Sequence, residues 1–313
     1  MRVVVLGATG TAGRSTVPVL VAAGHEVLAH SRSDDGAARL SRAGATPLRG
    51  DADDPGTLRS WLTGADAAID LRVSVPAATR AMAPWAWREY TRLRARAAAV
   101  LVDAALAADV PRVVHDTATM VYADGRSTPL DETSPVDARG ALAANLATET
   151  HVARLTAHGG AGVVLRFAPF YGPDDEFSRA LMRAARRGRV PILGHVDGWT
   201  SAVHTDDVGT ALLVALTAPG GVYNVADDEP LTRRVLLGIL ADAAGVPRVR
   251  PLPGGLRHLA PAPLRSLARS HRVDASRFRE LGWQPRVRSR RTGWPLSFAA
   301  DAVAASASEP ARV

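Results

Sequence analysis

Residues 2–6, Arg-Val-Val-Val-Leu, run directly into Gly7-Ala-Thr-Gly10-Thr-Ala-Gly13, and a helical stretch over 12–23 follows. A short β-branched run stopped by a glycine reads as a buried parallel strand. Three glycines between that strand and a helix let the backbone turn tightly and approach a pyrophosphate. The helix N-terminus offers it unspent N–H groups and a partial positive charge. A glycine pattern alone is weak evidence, but after a first strand and opening a first helix it is specific. It commits the chain to an α/β body that begins at its first strand.

The rest of the first half keeps that rhythm. Strands are predicted at 26–30, 46–49, 66–71, 112–115 and 162–167, with helices at 36–43, 55–62, 92–108 and 138–157. Alternation at this pitch predicts a doubly wound parallel sheet, a Rossmann dinucleotide-binding domain over residues 1–167. After 167 the rhythm breaks into short pieces at 176–187, 190–193, 206–217, 222–225 and 232–244. They predict a smaller, mainly substrate-binding lobe over 168–313, with some segments returning to the core. Residues 247–263 are rich in Pro and Gly and read as loop, and the last dozen are expected to fray. The connection 73–92 is long for this pattern and carries Trp85, Trp87 and Tyr90. It reads as a lid or as aromatic packing of the connection onto the body.

Composition narrows the chemistry. Zero cysteines exclude disulfides, thiol nucleophiles and Cys-ligated metals. No metal site is expected. No apolar run is long enough to span a bilayer, and with no leader visible a cytoplasmic location is the default expectation. The formal charge of +7 comes from dispersed arginines. Arg179, Arg183, Arg186, Arg187 and Arg189 form the densest group and read as a solvated helix face, so neither nucleic acid nor membrane is expected as a partner. All 38 basic side chains are arginine, and there is no lysine anywhere.

Within the loop, Gly7, Thr9, Gly10, Thr11, Ala12 and Gly13 are the expected dinucleotide contacts. The choice of cofactor is read at the end of the second strand, where an acidic residue holds the ribose hydroxyls of NAD. Here the residues are His30-Ser31-Arg32. Arg32 can fork onto a 2′-phosphate and Ser31 can add a hydrogen bond, so NADP(H) is preferred over NAD(H). Asp51 and Ala52, after the third strand, are placed to meet the adenine edge, with Leu71 and Phe170 completing the cofactor set.

Further motifs follow in order: Arg49-Gly-Asp51, Val121-Tyr122, Leu165-Arg166 with Tyr171-Gly-Pro173, Val203-His-Thr-Asp-Asp207-Val208, Val222-Tyr-Asn224-Val and Leu281-Gly-Trp283-x-Pro285. Together with the glycine loop they resemble the extended short-chain dehydrogenase/reductase family, the NAD-dependent epimerase/dehydratase group, over nearly the whole chain. That resemblance implies a Rossmann fold, a nicotinamide cofactor and a Ser-Tyr-Lys proton relay. The relay is missing. Ala118 stands at the serine position. Registering on Glu149 puts Asn145 at the lysine position and Ala141 at the tyrosine position, while Arg94 stands where the family has an asparagine.

General acid–base catalysis is worth on the order of 10²–10⁴-fold, so its loss does not forbid hydride transfer but requires another proton source or a polarised carbonyl. Thr117, Thr119 and Asn145 are the candidate replacements, beside a substrate whose own phenol polarises its ketone. Trp85, Trp87, Tyr90, Tyr122, Trp199 and His204 are the expected substrate-binding residues, an aromatic mouth suited to a flat ketone. The expected function is an NADPH-dependent ketoreductase in antibiotic biosynthesis, acting on a small aromatic polyketide ketone. In this it resembles relay-less reductases of the angucyclinone type. The alternative is a non-catalytic NADP(H) sensor of the same superfamily. Either monomer or homodimer is compatible with the sequence.

Overall fold

The computed structural model describes residues 1–77, 79–251 and 261–307. Its centre is a seven-stranded, all-parallel sheet. The strands are β1 (Arg2–Leu6), β2 (Glu26–His30), β3 (Thr46–Leu48), β4 (Ala67–Asp70), β5 (Arg112–Ala118), β6 (Ala161–Phe167) and β7 (Gly221–Val225). Across the sheet they run β7-β6-β5-β4-β1-β2-β3. The order reverses beside β1, so the crevice beyond the carboxyl ends of β1 and β4 is where such a sheet takes a ligand.

Alternation along the strands explains the two covering layers. Val3 and Val5 of β1 face one core with Ile69, Val114 and Leu165. It is covered by α1 (Thr11–Ala22) and, from the second half of the chain, α8 (Thr205–Ala215). Val4 and Leu6 face the other core with Ala68 and Val113, beneath α3 (Pro55–Leu62) and α5 (Ala98–Ala107). Strands buried on both faces are near-continuous hydrophobic runs, as the sequence of β1 shows. Helices α2 (Asp34–Arg42), α4 (Arg88–Arg92) and α6 (Ala143–Ala157) complete the body.

Several boundaries differ from the sequence expectation. The helix expected over 92–108 begins at Arg88 and contains a π-helical turn, Leu93–Ala97. A π turn frees carbonyls, and here two find side-chain donors. Thr148 Oγ1 donates to Arg94 O at 2.8 Å and Arg72 Nη2 to Ala97 O at 3.4 Å. The helix expected from 138 starts at Ala143, after a 3₁₀ turn over Gly140–Leu142. The fifth strand runs on to Ala118. The segment 222–225 is the seventh strand of the main sheet, and α8 packs on α1, so both belong to the Rossmann body.

A smaller lobe gathers α7 (Glu176–Arg186), α9 (Arg233–Ala244) and α10 (Arg290–Ala307) around Leu181, Met182, Leu236, Leu240, Trp294 and Phe298. Arg179, Arg183, Arg187 and Arg189 are exposed, in keeping with a solvated face. The Pro/Gly-rich stretch expected to be loop lies outside the described residues over 252–260. The tail expected to fray is helical to Ala307, and 308–313 also lie outside them. Among the described residues no helix is long and apolar enough to cross a membrane.

Where β7 hands over to the lobe, Asp227 is buried and neither carboxylate oxygen is hydrogen-bonded to a described residue. Burial pushes its carboxyl up to about 7 despite the attraction of Arg290; the Glu229 amide favours the charged form but stays outside bonding geometry. Between the ordinary carboxyl range and pH 7 the folded state therefore holds a proton that the unfolded chain has lost, and stability falls as pH rises through that window. Asp227→Asn is expected to melt several degrees higher than the wild type at pH 8 and to lose most of the pH slope between 5 and 8. A variant melting with the wild-type slope would remove Asp227 as its cause.

Candidate functional site

The β1–α1 turn is built around its glycines. Gly7 sits at φ +75°, and a Cβ there would lie 2.5 Å from the Leu71 carbonyl carbon and 2.8 Å from Arg72 N. Gly13 faces the Ala8 backbone, where a Cβ would come within 2.4 Å. These two allow β1, β4 and α1 to meet closely. Gly10 is different: its Cβ would meet only the Gly7 carbonyl, at 3.3 Å, and would otherwise enter open space in front of the helix. Gly10 is the N-cap of α1, with no side-chain cap and no acidic residue in the first turn. The first N–H groups of Thr11 and Ala12 are thus left for an outside acceptor, with no acidic side chain in the helix's own first turn to repel it. Residues Gly7, Thr9, Gly10, Thr11, Ala12 and Gly13 fit a dinucleotide pyrophosphate on these grounds.

At the adenosine end, His30 closes β2, its Nε2 3.1 Å from Gly50 O and its ring 5.2 Å from that of Trp61. Ser31 is buried and donates to Ser33 O at 2.9 Å, shaping the turn into α2. Arg32 is exposed, and its guanidinium makes no hydrogen bond or ion pair with a described residue. Asp51 Oδ1 accepts from Asp53 N at 2.8 Å, and Ala52 is buried beside it. Leu71 is buried at the mouth of β4, while Phe170 packs edge-on against Phe167, 5.4 Å between centroids.

Sequence reasoning missed an ion-pair ladder here. Arg72 grips Asp70 at 2.7 Å, donates to Ala52 O at 2.8 Å and meets Asp53 at 3.0 Å. Asp53 also pairs with Arg92 of α4 at 2.8 Å, and Arg92 with Glu89 at 2.8 Å. Burial alone would raise the Asp70 carboxyl, but Arg72, with His115 behind it, outweighs burial and holds it well below the usual carboxylate range. The ladder ties the segment expected to meet adenine to the helix that ends the aromatic connection. Its only sequence signal was an arginine two residues after a strand-end aspartate.

The relay positions are occupied by other chemistry. Arg94 is buried and forms a two-pronged pair with Asp116, at 2.8 and 2.7 Å, and also donates to the Asp116 carbonyl. Thr117 is buried, its hydroxyl 3.3 Å from Glu149 Oε1. Thr119 is fully buried and its hydroxyl has no partner among the described residues. Asn145 is fully buried; its amide donates to Leu142 O at 3.1 Å and lies against the Tyr90 hydroxyl, 3.0 Å from Oδ1 and 2.9 Å from Nδ2. Glu149 grips Arg166 of β6 at 2.7 and 2.8 Å, a structural tie between α6 and the sheet.

The aromatic residues separate into two groups. Trp87 and Tyr90 are buried and meet edge-on at 5.6 Å, packed with Ala81, Ala141 and Leu264. Trp85, on the same 3₁₀ turn, is 59% exposed. The connection is thus anchored by two rings and carries a third outward. Trp199 is half-buried, with Arg272 stacked 4.9 Å from its ring centre.

Two residues expected to meet substrate do other work. Tyr122 is fully buried, its hydroxyl donating to Asn224 at 2.7 Å and accepting from Arg166 at 2.9 Å. It cross-links β6 and β7, which leaves its side chain no open face. His204 caps α8, its Nδ1 accepting from Asp206 N at 3.2 Å, while its Nε2 lies 2.8 Å from Ser297 Oγ. Both of its ring nitrogens are spent. Among the described residues no group of His, Asp and Glu side chains could hold a metal.

Comparison with known proteins agrees with this geometry. Residues 3–226 match the model of the NAD dependent epimerase/dehydratase family. The chain is 32% identical to a 3-diazoavenalumate denitrifying reductase of a Streptomyces species, over 94% of this chain and 99% of that protein. It is 31% identical to a 4-hydroxy-2-methyl-3-oxo-4-farnesyl-3,4-dihydroquinoline-1-oxide ketoreductase of Stigmatella aurantiaca, over 79% of this chain and 74% of that protein. The UDP-glucose 4-epimerase of Thermus thermophilus in complex with NAD shares the fold, with a TM-score of 0.76 at 22% identity over 96% of this chain and 98% of that one. The chain belongs to the NAD dependent epimerase/dehydratase family and is an NAD(P)-dependent oxidoreductase.

Proposed function

We propose that the protein is an NADPH-dependent ketoreductase that reduces a ketone on a flat aromatic substrate, an angucyclinone-like polyketide of antibiotic biosynthesis, without the Ser-Tyr-Lys relay. The observation that carries this reading is the pairing of an uncapped, glycine-lined helix start with relay positions held by Ala118, Ala141 and Asn145. The first serves a dinucleotide phosphate; the second suits an electrophile that asks little of the usual acid. When bound, the reduced nicotinamide supplies a hydride. The residues around it hold the cofactor and exclude water. Residues 168–313 supply mainly the substrate lobe, apart from segments such as α8 and β7 that return to the Rossmann body, with 73–92 as its lid, and Trp85 and Trp199 offer apolar surface to the substrate. The two relatives named as reductases support reduction as the reaction class.

Arg32 carries the preference for NADPH. Its unpaired guanidinium stands where an acidic residue would hold the ribose hydroxyls of NADH. Arg32→Glu is expected to weaken NADPH on the order of 100-fold, through a lost charge-assisted pair and a new repulsion. NADH should be little changed. Fluorescence titration with both coenzymes checks this, and equal losses for the two would refute the assignment.

A second reading is favoured by the likeness to the denitrifying reductase along 94% of the chain. An aryl diazonium is already a cation and dinitrogen leaves as a neutral molecule. Hydride therefore replaces it with no proton needed, which also fits an absent relay. Incubation of protein and NADPH with an aromatic polyketide ketone or with an aryl diazonium separates the two. The first reading gives an alcohol two mass units heavier; the second gives the arene with dinitrogen lost. Tight NADPH binding with neither product would defeat both.

A further inference from the structure

The connection 73–92 returns to the site something that the family pattern lacks. Ala141, at the tyrosine position, lies in the 3₁₀ turn ahead of α6 and carries no ring, and it packs against the small cluster to which Tyr90 of α4 belongs. The Tyr90 hydroxyl reaches Asn145, one turn further along, at 2.9 and 3.0 Å. Asn145 stands at the lysine position. A phenol and a hydrogen-bonding partner are thus both present where the relay belongs, but the phenol arrives from the facing helix.

The surroundings fit a proton donor. Asn145 is held in turn by Leu142 O, so the amide that orients the phenol has a fixed direction. The Arg94 guanidinium lies 5.7 Å from the centre of the Tyr90 ring, placing a positive charge beside the group that would carry the negative one. Trp87, edge-on to Tyr90 and tied to Ala81 O at 2.9 Å, fixes the ring from behind. Thr117 and Thr119, the other candidates, lack such support: one is committed to Glu149 and the other has no partner among the described residues to deliver a proton to it.

We propose that Tyr90, oriented by Asn145, is the acid that protonates the substrate oxygen. This rests on the ketone reading given above. As hydride adds to the carbonyl carbon, the C=O π bond breaks and its electron pair moves to oxygen. That oxygen takes the proton from Tyr90 Oη, and water restores the phenol after the alcohol leaves. The diazonium reaction needs no such step, so the proposal belongs to the ketone reading alone.

The experiment combines rates with a spectroscopic probe, using the full chain and an aromatic polyketide ketone. Tyr90→Phe is expected to slow single-turnover NADPH oxidation by on the order of 10²–10⁴-fold. NADPH affinity should stay within about 3-fold, since the phenol acts on substrate. The carbonyl stretch of the ketone bound beside NADP⁺ should shift to lower frequency in the wild type and return towards its free value in Tyr90→Phe. A wild type that reduces the ketone with a variant of equal rate overturns the role of Tyr90 and leaves ketone reduction standing. An unshifted carbonyl in the wild type, which needs no variant, also overturns it. A wild type that reduces no ketone overturns both proposals.

Discussion

Arg94→Met is expected to cost about 3–5 kcal/mol of folding stability, because it strands a carboxylate in the interior. Arg94 and Asp116 are both buried and joined through two oxygens at 2.8 and 2.7 Å. Removing the guanidinium leaves Asp116 with no cation to balance it, and the cost is that of an unpaired buried charge. It also removes one of the two donors to the Asp116 carbonyl, leaving His115 Nδ1 at 2.9 Å. The double variant Arg94→Met with Asp116→Leu is expected to recover most of the loss, since neither partner then remains to be stranded. Urea denaturation of the two single variants and the double one measures this. A single variant within about 1 kcal/mol of wild type, or a double variant as unstable as the sum, would show that the pair does not act as one unit.

Gly7→Ala is expected to be more severe, removing measurable dinucleotide binding and costing about 3 kcal/mol or more. Part of this is backbone strain, since φ is +75° and an L side chain pays about 1–2 kcal/mol there. The larger part is the collision of the new Cβ with the Leu71–Arg72 backbone at 2.5–2.8 Å, which can be relieved only by moving β1 from β4. Gly24→Ala is the control. Its φ is +81°, but a Cβ there meets nothing within 4 Å, so it pays the strain without the collision. It should cost about 1 kcal/mol and leave NADPH binding intact. Thermal melts and a fluorescence titration of all three proteins report both effects. Equal losses at Gly7 and Gly24 would mean that the close approach of β1 and β4 contributes nothing.

The body of the fold was legible because its signals are local. Apolar runs bounded by glycine at β1, and the 3.6-residue period of its helices, mark elements whatever surrounds them. The phosphate cradle was legible for the same reason, since Gly7, Gly10 and Gly13 act through backbone geometry over seven residues. The helix boundary at Arg88 was not, because a π turn is set by who receives its spare carbonyls, and Thr148 and Arg72 come from distant segments. Tyr122 and His204 were read as pocket residues from motif position. Only the tertiary structure shows that Asn224, Arg166 and Ser297 use up their polar atoms. The Arg94–Asp116 pair and the Arg72–Asp53–Arg92 ladder lay hidden for a related cause. With 38 arginines spread along the chain, composition gives no hint of which ones face a carboxylate in the interior. Tyr90 was visible as part of an aromatic connection, but its reach to Asn145 spans 55 residues of sequence.

Transfer of isotope from the cofactor tests most directly whether this chain moves hydride without the customary donor pair. The wild-type protein would be given NADPH carrying deuterium on one face of nicotinamide C4, together with an aromatic polyketide ketone or an aryl diazonium. One deuterium should appear on the reduced carbon of the product from one labelled face and none from the other. A protein that binds NADPH at the β1–α1 turn yet leaves the label on the cofactor with every such acceptor would contradict the account.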